Sequence, residues 1–456
     1  MERELNTIPL IEQFKNEFGC EPTVLIKAPG RVNCIGEHTD YNGLPVMPVA
    51  IPFTITVAAS PDDGTTVAIK NTDPSFAPST FDITNNIPHS PTGDWSNYVK
   101  AAANELSSRL GNDLKGMNAL FHGTIPESAG LSSSSALVIA SALSVLAVNG
   151  IDMDPVDLGE AMAYGEHYVG TQGGGMDQAI CLLGKKDNAV KIDFFPLRHT
   201  YVPFPENHVI VVAHSLVRAA KTENALLLYN RRPAECRLAT AMLNALFKPN
   251  PPLKRLGDLL KHGFYVDAND PEVFVGENFT RESYSLNDIA TVTGISTDAL
   301  TESCLMTRSG VPMPEPPDGF LIRQRARHVL TEAARVEESV RTLENSDPTA
   351  FGKLMDASHR SCDEDYGIST PELNRLTSIM RENGALGSRL TGAGFGGCAI
   401  ALVRKEKADI LMAGVRESYY NSFIAETRPE ILSSGSLNDS LLFSIKPADG
   451  AFLEYL

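Results

Sequence analysis

The stretch from Pro126 to Val148 constrains this 456-residue chain more than any other. Pro126-Glu127-Ser128-Ala129-Gly130-Leu131-Ser132-Ser133-Ser134-Ser135-Ala136-Leu137 is made of small and polar residues. It opens directly into Leu131–Val148, whose Ala, Ser, Val and Leu predict an apolar helix buried at close range. The first N–H groups of such a helix have no intrahelical partner, and with the serine hydroxyls they form an anion site without side-chain bulk. A serine N-cap is the plain alternative, but a cap needs only one of the four serines. A phosphate-binding turn is therefore the better reading. No Gly-Lys-Ser/Thr follows, so this is not a Walker A loop.

The order of elements around this helix sets the fold class. Ile8–Gly19 has Leu10, Ile11, Phe14 and Phe18 at helical spacing. Thr23–Ala28 reads as a strand stopped by Pro29-Gly30. Strand character returns at Pro45–Ser60, Thr65–Lys70, Met117–Gly123, Val190–Phe195 and His208–Ala213, with helices at Tyr98–Leu110 and Asp154–His167. Strands and helices do not alternate regularly, which favours α+β over a doubly wound parallel sheet. Residues 245–320 are rich in Pro, Asp, Asn and Thr and read as an insertion with short helices. Helices resume at Arg323–Leu343, Gly352–Ser361 and Leu373–Gly384. A strand, a Gly loop and a strand follow over Ser388–Val403, and a final hairpin is expected over Ser433–Lys446.

Charge and cysteines exclude several function classes. With 39 Lys and Arg against 56 Asp and Glu the net charge is −17, which opposes coating of nucleic acid. A phosphorylated small molecule remains compatible, because a few local cations and one metal ion suffice for it. The seven cysteines are widely spaced with no C-x-x-C pair, which argues against a disulfide framework or a structural zinc site. Reduced thiols fit a cytoplasmic protein. No signal-like N-terminus and no run near ~18 apolar residues is seen, so no membrane association is expected.

Three further segments carry chemistry. Ala28-Pro29-Gly30-Arg31-Val32-Asn33-Cys34-Ile35-Gly36-Glu37-His38-Thr39-Asp40-Tyr41-Asn42 concentrates acceptors, donors and one fixed cation, as a polyhydroxylated ligand or a polar surface turn requires. Gly173-Gly174-Gly175-Met176-Asp177-Gln178 lets the backbone approach a ligand and leaves Asp177 either to accept a substrate proton or to cap the next helix. Thr391-Gly392-Ala393-Gly394-Phe395-Gly396-Gly397 matches G-x-G-x-x-G, but Cys398–Val403 after it is a strand. A dinucleotide fold needs a helix there. A loop closing over a ligand, or a tight hairpin, is left.

Together these four segments resemble the GHMP kinase superfamily and, within it, the galactokinases. The resemblance spans nearly the whole chain and keeps the segments in order. It implies a two-lobed α+β fold. The N-terminal lobe, 1–207, resembles ribosomal protein S5 domain 2 and holds the galactose-binding stretch 28–43, the phosphate loop 126–136 and the catalytic segment 171–178. The C-terminal α+β lobe, 208–456, carries the insertion and the Gly loop 390–397. The implied reaction is transfer of the γ-phosphoryl of MgATP to the anomeric hydroxyl of α-D-galactose. Asp177 matches the base, and Arg31 the cation that holds it ionised and faces the phosphoryl group. Glu37, His38, Asp40, Gly174 and Tyr229 match sugar contacts. Gly130, Leu131, Ser132, Ser133, Ser134 and Ser135 match the ATP-phosphate turn. Ser134 and Glu166 match the Mg2+ ligands. Trp95 resembles an adenine-pocket residue, with a core anchor as the alternative. The implied partners are galactose and MgATP, with a monomer expected.

Two features depart from the common bacterial pattern. Gly173-Gly174-Gly175-Met176-Asp177 stands where many galactokinases have Cys or Ser, then Gly-Ile-Met-Asp, and the 245–320 insertion is atypical of them. Both are similar to N-acetylgalactosamine kinases and to the fungal and plant galactokinases. Thr39, Asn42 and Tyr229 follow the galactokinase spelling, which favours galactose over N-acetylgalactosamine or dual use. A sugar sensor without turnover is disfavoured by the complete phosphate loop together with Asp177 and Arg31.

Overall fold

A computed structural model describes residues 8–456 except 112, 127–128, 171–172, 218–222, 264–270, 308–309 and 433–438. Expectations that fall on Glu127, Ser128, Thr171, Gln172 and the start of the last hairpin therefore lie outside the described residues. After α1 (Ile8–Phe18), a sheet forms from β1 (Val24–Asn33), β2 (Pro48–Pro61), β3 (Thr66–Asn71), β4 (Ser79–Asp82), β5 (Met117–Gly123) and the C-terminal strand β12 (Phe452–Tyr455). Its order is β12-β1-β2-β5-β3-β4. Alternation assigns its faces. Leu25, Ala58 and Leu120 pack against Leu10 and Phe14 of α1, while Val24, Ile26, Val57, Ala59 and Ala119 face the main core.

That core is covered by α2 (Ser96–Leu110), α3 (Ser133–Val148), α4 (Pro155–Gly165) and α5 (Met176–Leu183). The serine-rich turn runs into α3 as the sequence requires. Ser141 and Ser144 are buried on this helix because each hydroxyl donates to the carbonyl four residues back, at 2.7 Å in both cases.

The expected stop at Pro29-Gly30 is corrected. β1 continues to Asn33 through a register shift between Pro29 and Arg31. β12 pairs with it only as far as Lys27, so Pro29 has a neighbouring strand on one side only, where proline is tolerated. A Cβ on Gly30 would meet the Leu131 carbonyl oxygen at 2.6 Å. Glycine there lets β1 touch the serine turn, and Arg31 N–H donates to the same oxygen at 3.1 Å.

A hairpin of β6 (Asn188–Asp193) and β7 (Arg198–Pro203) leads into β8 (His208–His214). β8 joins β9 (Gly387–Leu390), β10 (Cys398–Arg404) and β11 (Leu442–Ile445) in the order β11-β8-β10-β9. The helices of this lobe begin with α6 (Glu223–Phe247). The short α7 (Asp258–His262), α8 (Pro271–Asn278), α9 (Leu286–Thr293) and α10 (Thr297–Leu300) occupy the expected insertion. Then come α11 (Ile322–Glu344), α12 (Pro348–Glu364), α13 (Pro371–Glu382) and α14 (Ala408–Val415). No described helix is long and apolar enough to cross a membrane.

Two lobes of α+β structure are what the chain adopts, but the division at 207/208 is not a clean cut. Val209, Val211 and Ala213 of β8 face the C-terminal core, whereas Ile210 and Val212 join the N-terminal one. The last strand also returns to the first sheet. The hairpin expected over 433–446 is corrected too: β11 pairs with β8, and β12 belongs to the other sheet.

Candidate active site

Arg31 and Asp177 arrive from β1 and from the first turn of α5, 146 residues apart in the chain. The Arg31 Nε donates to Asp177 Oδ1 at 2.8 Å and Nη2 to Oδ2 at 3.0 Å. This paired fork fixes the carboxylate in plane. The third Arg31 nitrogen, Nη1, donates to the Gly130 carbonyl at 2.6 Å and ties the pair to the serine turn. Ser132, held at a φ of 60°, donates its hydroxyl to Asp177 Oδ2. Asp177 is thus set by side chains from two other segments and is not a helix cap.

Gly174, three residues before it, serves a close approach. A Cβ on Gly174 would collide with Tyr41 N and with Asp40. The Gly174 N–H donates to Asp40 Oδ2 at 3.1 Å, the Met176 N–H at 3.4 Å, and Tyr41 N–H donates to Oδ1 at 2.9 Å. Burial raises the Asp40 carboxyl to about 6, these N–H donors oppose the rise, and the charge of Asp177 adds to it.

Glu37 and His38 line the same cavity as Asp40 and Asp177. The Glu37 carboxylate faces the fully buried Arg389, 3.0 Å from Nη2, and accepts the Gly392 N–H at 3.2 Å. Burial pushes Glu37 up, and Arg389 and then Arg31 pull it back. Burial likewise opposes the Arg389 cation, but Glu37 together with Cys362 and Glu332 more than offsets this and the guanidinium ends above its ordinary value. Sequence reasoning missed Arg389. Its one signal was a charged residue inside the short strand before the Gly loop.

His38 sits at a φ of 60°. Burial lowers its pKa to about 3, so the ring is neutral at pH 7. Its Nε2 lies 3.2 Å from the Ala393 carbonyl, which can only accept, so Nε2 carries the hydrogen. Nδ1 then accepts from the Tyr41 hydroxyl at 2.8 Å. Both ring nitrogens meet protein partners, so the ring joins the 36–42 turn to the Gly loop at the wall of the cavity in which the sequence reading had it contacting a sugar. Tyr229, from α6, also lines the cavity, with its ring centroid 5.4 Å from that of His38.

The Gly loop reverses between β9 and β10, with Gly392 at φ 83° and Gly394 at φ 76°. The strand that follows bears out rejection of the dinucleotide fold. Thr391 Oγ1 accepts from Asn33 N–H at 2.8 Å, which docks the loop on the end of β1.

The cavity, of about 1070 Å³, extends past Gly130, Leu131, Ser132, Ser133, Ser134 and Ser135 to an aromatic end with Phe76, Trp95 and Phe121. Trp95 is both cavity wall and core anchor. Its Nε1 donates to the Ala77 carbonyl at 2.8 Å, and its ring meets Phe121 edge-on at 5.4 Å. Glu166 and Ser134 line the cavity too. The Glu166 carboxylate accepts from Ser135 Oγ at 2.7 Å and from Gln178 Nε2, a partner the sequence reading missed. Among the described residues no group of three or more His, Cys, Asp or Glu gathers as a metal site. A hydroxyl and one buried carboxylate nevertheless fit Mg2+, which is ordinarily held by one or two carboxylates and the substrate's own phosphates.

Residues 12–61 match the galactokinase galactose-binding signature, 97–185 the GHMP kinases N terminal domain and 339–421 the GHMP kinases C terminal. The chain is 34% identical to a galactokinase of Dictyostelium discoideum, over 97% of this chain and 92% of the relative. It is 32% identical to a galactokinase of Saccharomyces cerevisiae, over 97% and 94%. Among solved structures, Lactococcus lactis galactokinase complexed with galactose is similar with a TM-score of 0.77 and 26% identity, covering 97% of this chain and 98% of that one.

Proposed function

Because the chain belongs to the galactokinase family of the GHMP kinase superfamily, we propose that it transfers the γ-phosphoryl of ATP to the anomeric hydroxyl of galactose, giving galactose 1-phosphate and ADP. The observation that carries this reading is the Arg31–Asp177 pair, tied to the serine turn and lining the cavity that also holds Glu37 and Asp40.

In this reading Asp177 accepts the proton as the sugar oxygen forms its bond to phosphorus and the bond from phosphorus to the ADP oxygen breaks. Arg31 orients Asp177 and supplies positive charge where the equatorial oxygens gather negative charge. Glu37 and Asp40 accept from sugar hydroxyls, Gly174 closes its backbone on Asp40 and holds that carboxylate through its N–H, and Tyr229 walls the hexose. The N–H groups at the start of α3 and the hydroxyls of Ser132–Ser135 hold the phosphates. Trp95 borders the adenine. Ser134 and Glu166 would hold Mg2+, and when bound the ion neutralises charge on the phosphate oxygens. Six of the seven cysteines are buried and all are unpaired, which supports work in the reducing cytoplasm.

A coupled ADP-release assay tests the reading with galactose, N-acetylgalactosamine and glucose as acceptors, each with and without Mg2+. ADP release on galactose that disappears with EDTA is expected. Saturable galactose binding without release would replace the kinase with a sensor, and faster release with N-acetylgalactosamine would replace the acceptor.

A further inference from the structure

Each polar group of Glu37 is met by a residue of the opposite lobe. Its N–H lies 3.4 Å from Glu332 Oε1, and the N–H of Gly36 donates to the same oxygen at 2.9 Å. Its carbonyl accepts from His328 Nε2 at 3.0 Å. Its carboxylate meets Arg389 and the Gly392 N–H. Glu332 and His328 are four residues apart on α11 and therefore share one face. Both are fully buried, and neither lines the cavity.

Holding a carboxylate in this interior is costly unless donors surround it. Glu332 has them. Ser358 Oγ donates to Oε1, and Arg335 Nε donates to Oε2 at 2.7 Å. His328 is anchored in turn by Ser361 Oγ, 3.0 Å from Nδ1. The turn they grip is closely packed and needs glycine at its start. Gly36 has a φ of 92°, and a Cβ there would meet Val46 Cα at 2.6 Å.

We propose that Glu332 and His328 are positioning residues for sugar recognition: they clamp the Gly36–Glu37 backbone from the C-terminal lobe and so aim the Glu37 carboxylate into the cavity. The proposal rests on Glu37 being a hexose ligand, as argued above.

The experiment compares His328→Leu, His328→Gln and Glu332→Gln with the unaltered enzyme, measuring KM for galactose, KM for ATP, kcat and the melting temperature. His328→Leu strands the buried Glu37 carbonyl and should raise KM for galactose about tenfold, with KM for ATP within about twofold. His328→Gln keeps a donor near the Nε2 position and should restore most of the loss. Glu332→Gln should also raise KM for galactose selectively, and it carries the test if His328→Leu does not fold. Unchanged KM for galactose, or both KM values rising together as the melting temperature falls, would overturn the proposal. Glu37→Gln separates the two levels. If it leaves KM for galactose unchanged, the ligand reading fails and this proposal with it. If it raises that KM while the α11 variants do not, the positioning role alone fails.

Discussion

The Arg31 guanidinium and the Asp177 carboxylate, 146 positions apart, share two parallel hydrogen bonds of 2.8 and 3.0 Å. Asp177→Asn removes the proton acceptor while keeping nearly the same shape. Turnover should fall by about 10²–10⁴-fold, the usual contribution of a positioned general base, with galactose affinity retained. ADP release and calorimetric titration of galactose together check this. Near-normal turnover would end the assignment of Asp177 as base.

Arg31→Lys keeps the charge but cannot span Asp177 Oδ1, Asp177 Oδ2 and the Gly130 carbonyl at once. Losing one charge-assisted hydrogen bond costs about 1.5–3 kcal/mol, which is roughly 10- to 100-fold if it falls on the transition state. We expect kcat to carry the loss, read from saturation kinetics in both substrates. A lysine variant with full kcat would show that charge alone suffices.

Asp40 sets a pH dependence. Burial raises its carboxyl to about 6, above the ordinary ~3.9. The folded protein therefore holds this proton more tightly than the unfolded chain does. Stability from this group is full below about pH 4 and is lost as pH rises through 6. Binding runs the other way, because the sugar needs the carboxylate as an acceptor. Galactose affinity of the free enzyme should weaken as pH falls through 6, and Asp40→Asn should flatten that limb. An affinity constant from pH 7 to pH 5 would contradict this.

Trp95 offers a direct probe, being the only tryptophan in the chain and part of the aromatic cavity wall. Nucleotide binding should shift its emission, and galactose alone should not. Titration with ATP while following tryptophan fluorescence checks this, with an unresponsive signal at saturating ATP as the contrary result.

Local chemistry was legible from sequence, because it depends on neighbours along the chain. The serine run had to leave N–H groups open at a helix start. The strand after the Gly loop excluded a dinucleotide fold by its composition alone. Misreadings arose where distant segments decide. Pro29-Gly30 looks like a strand end, yet β1 passes through because its partner on one side has already finished at Lys27. His38 reads from sequence as a sugar contact, and only the fold shows its ring nitrogens meeting Tyr41 and Ala393 at the cavity wall. Nothing near Glu37 in the chain announces Arg389, His328 or Glu332.

From residue order alone came the α+β class, the serine-rich turn that opens a helix and the acids and cation proposed to carry the chemistry, since turn geometry and helix starts are short-range properties. Folding in three dimensions settled which of those groups touch. Burial makes an unpaired charge costly, so each charged group at this site was driven to a partner that the linear chain keeps far away.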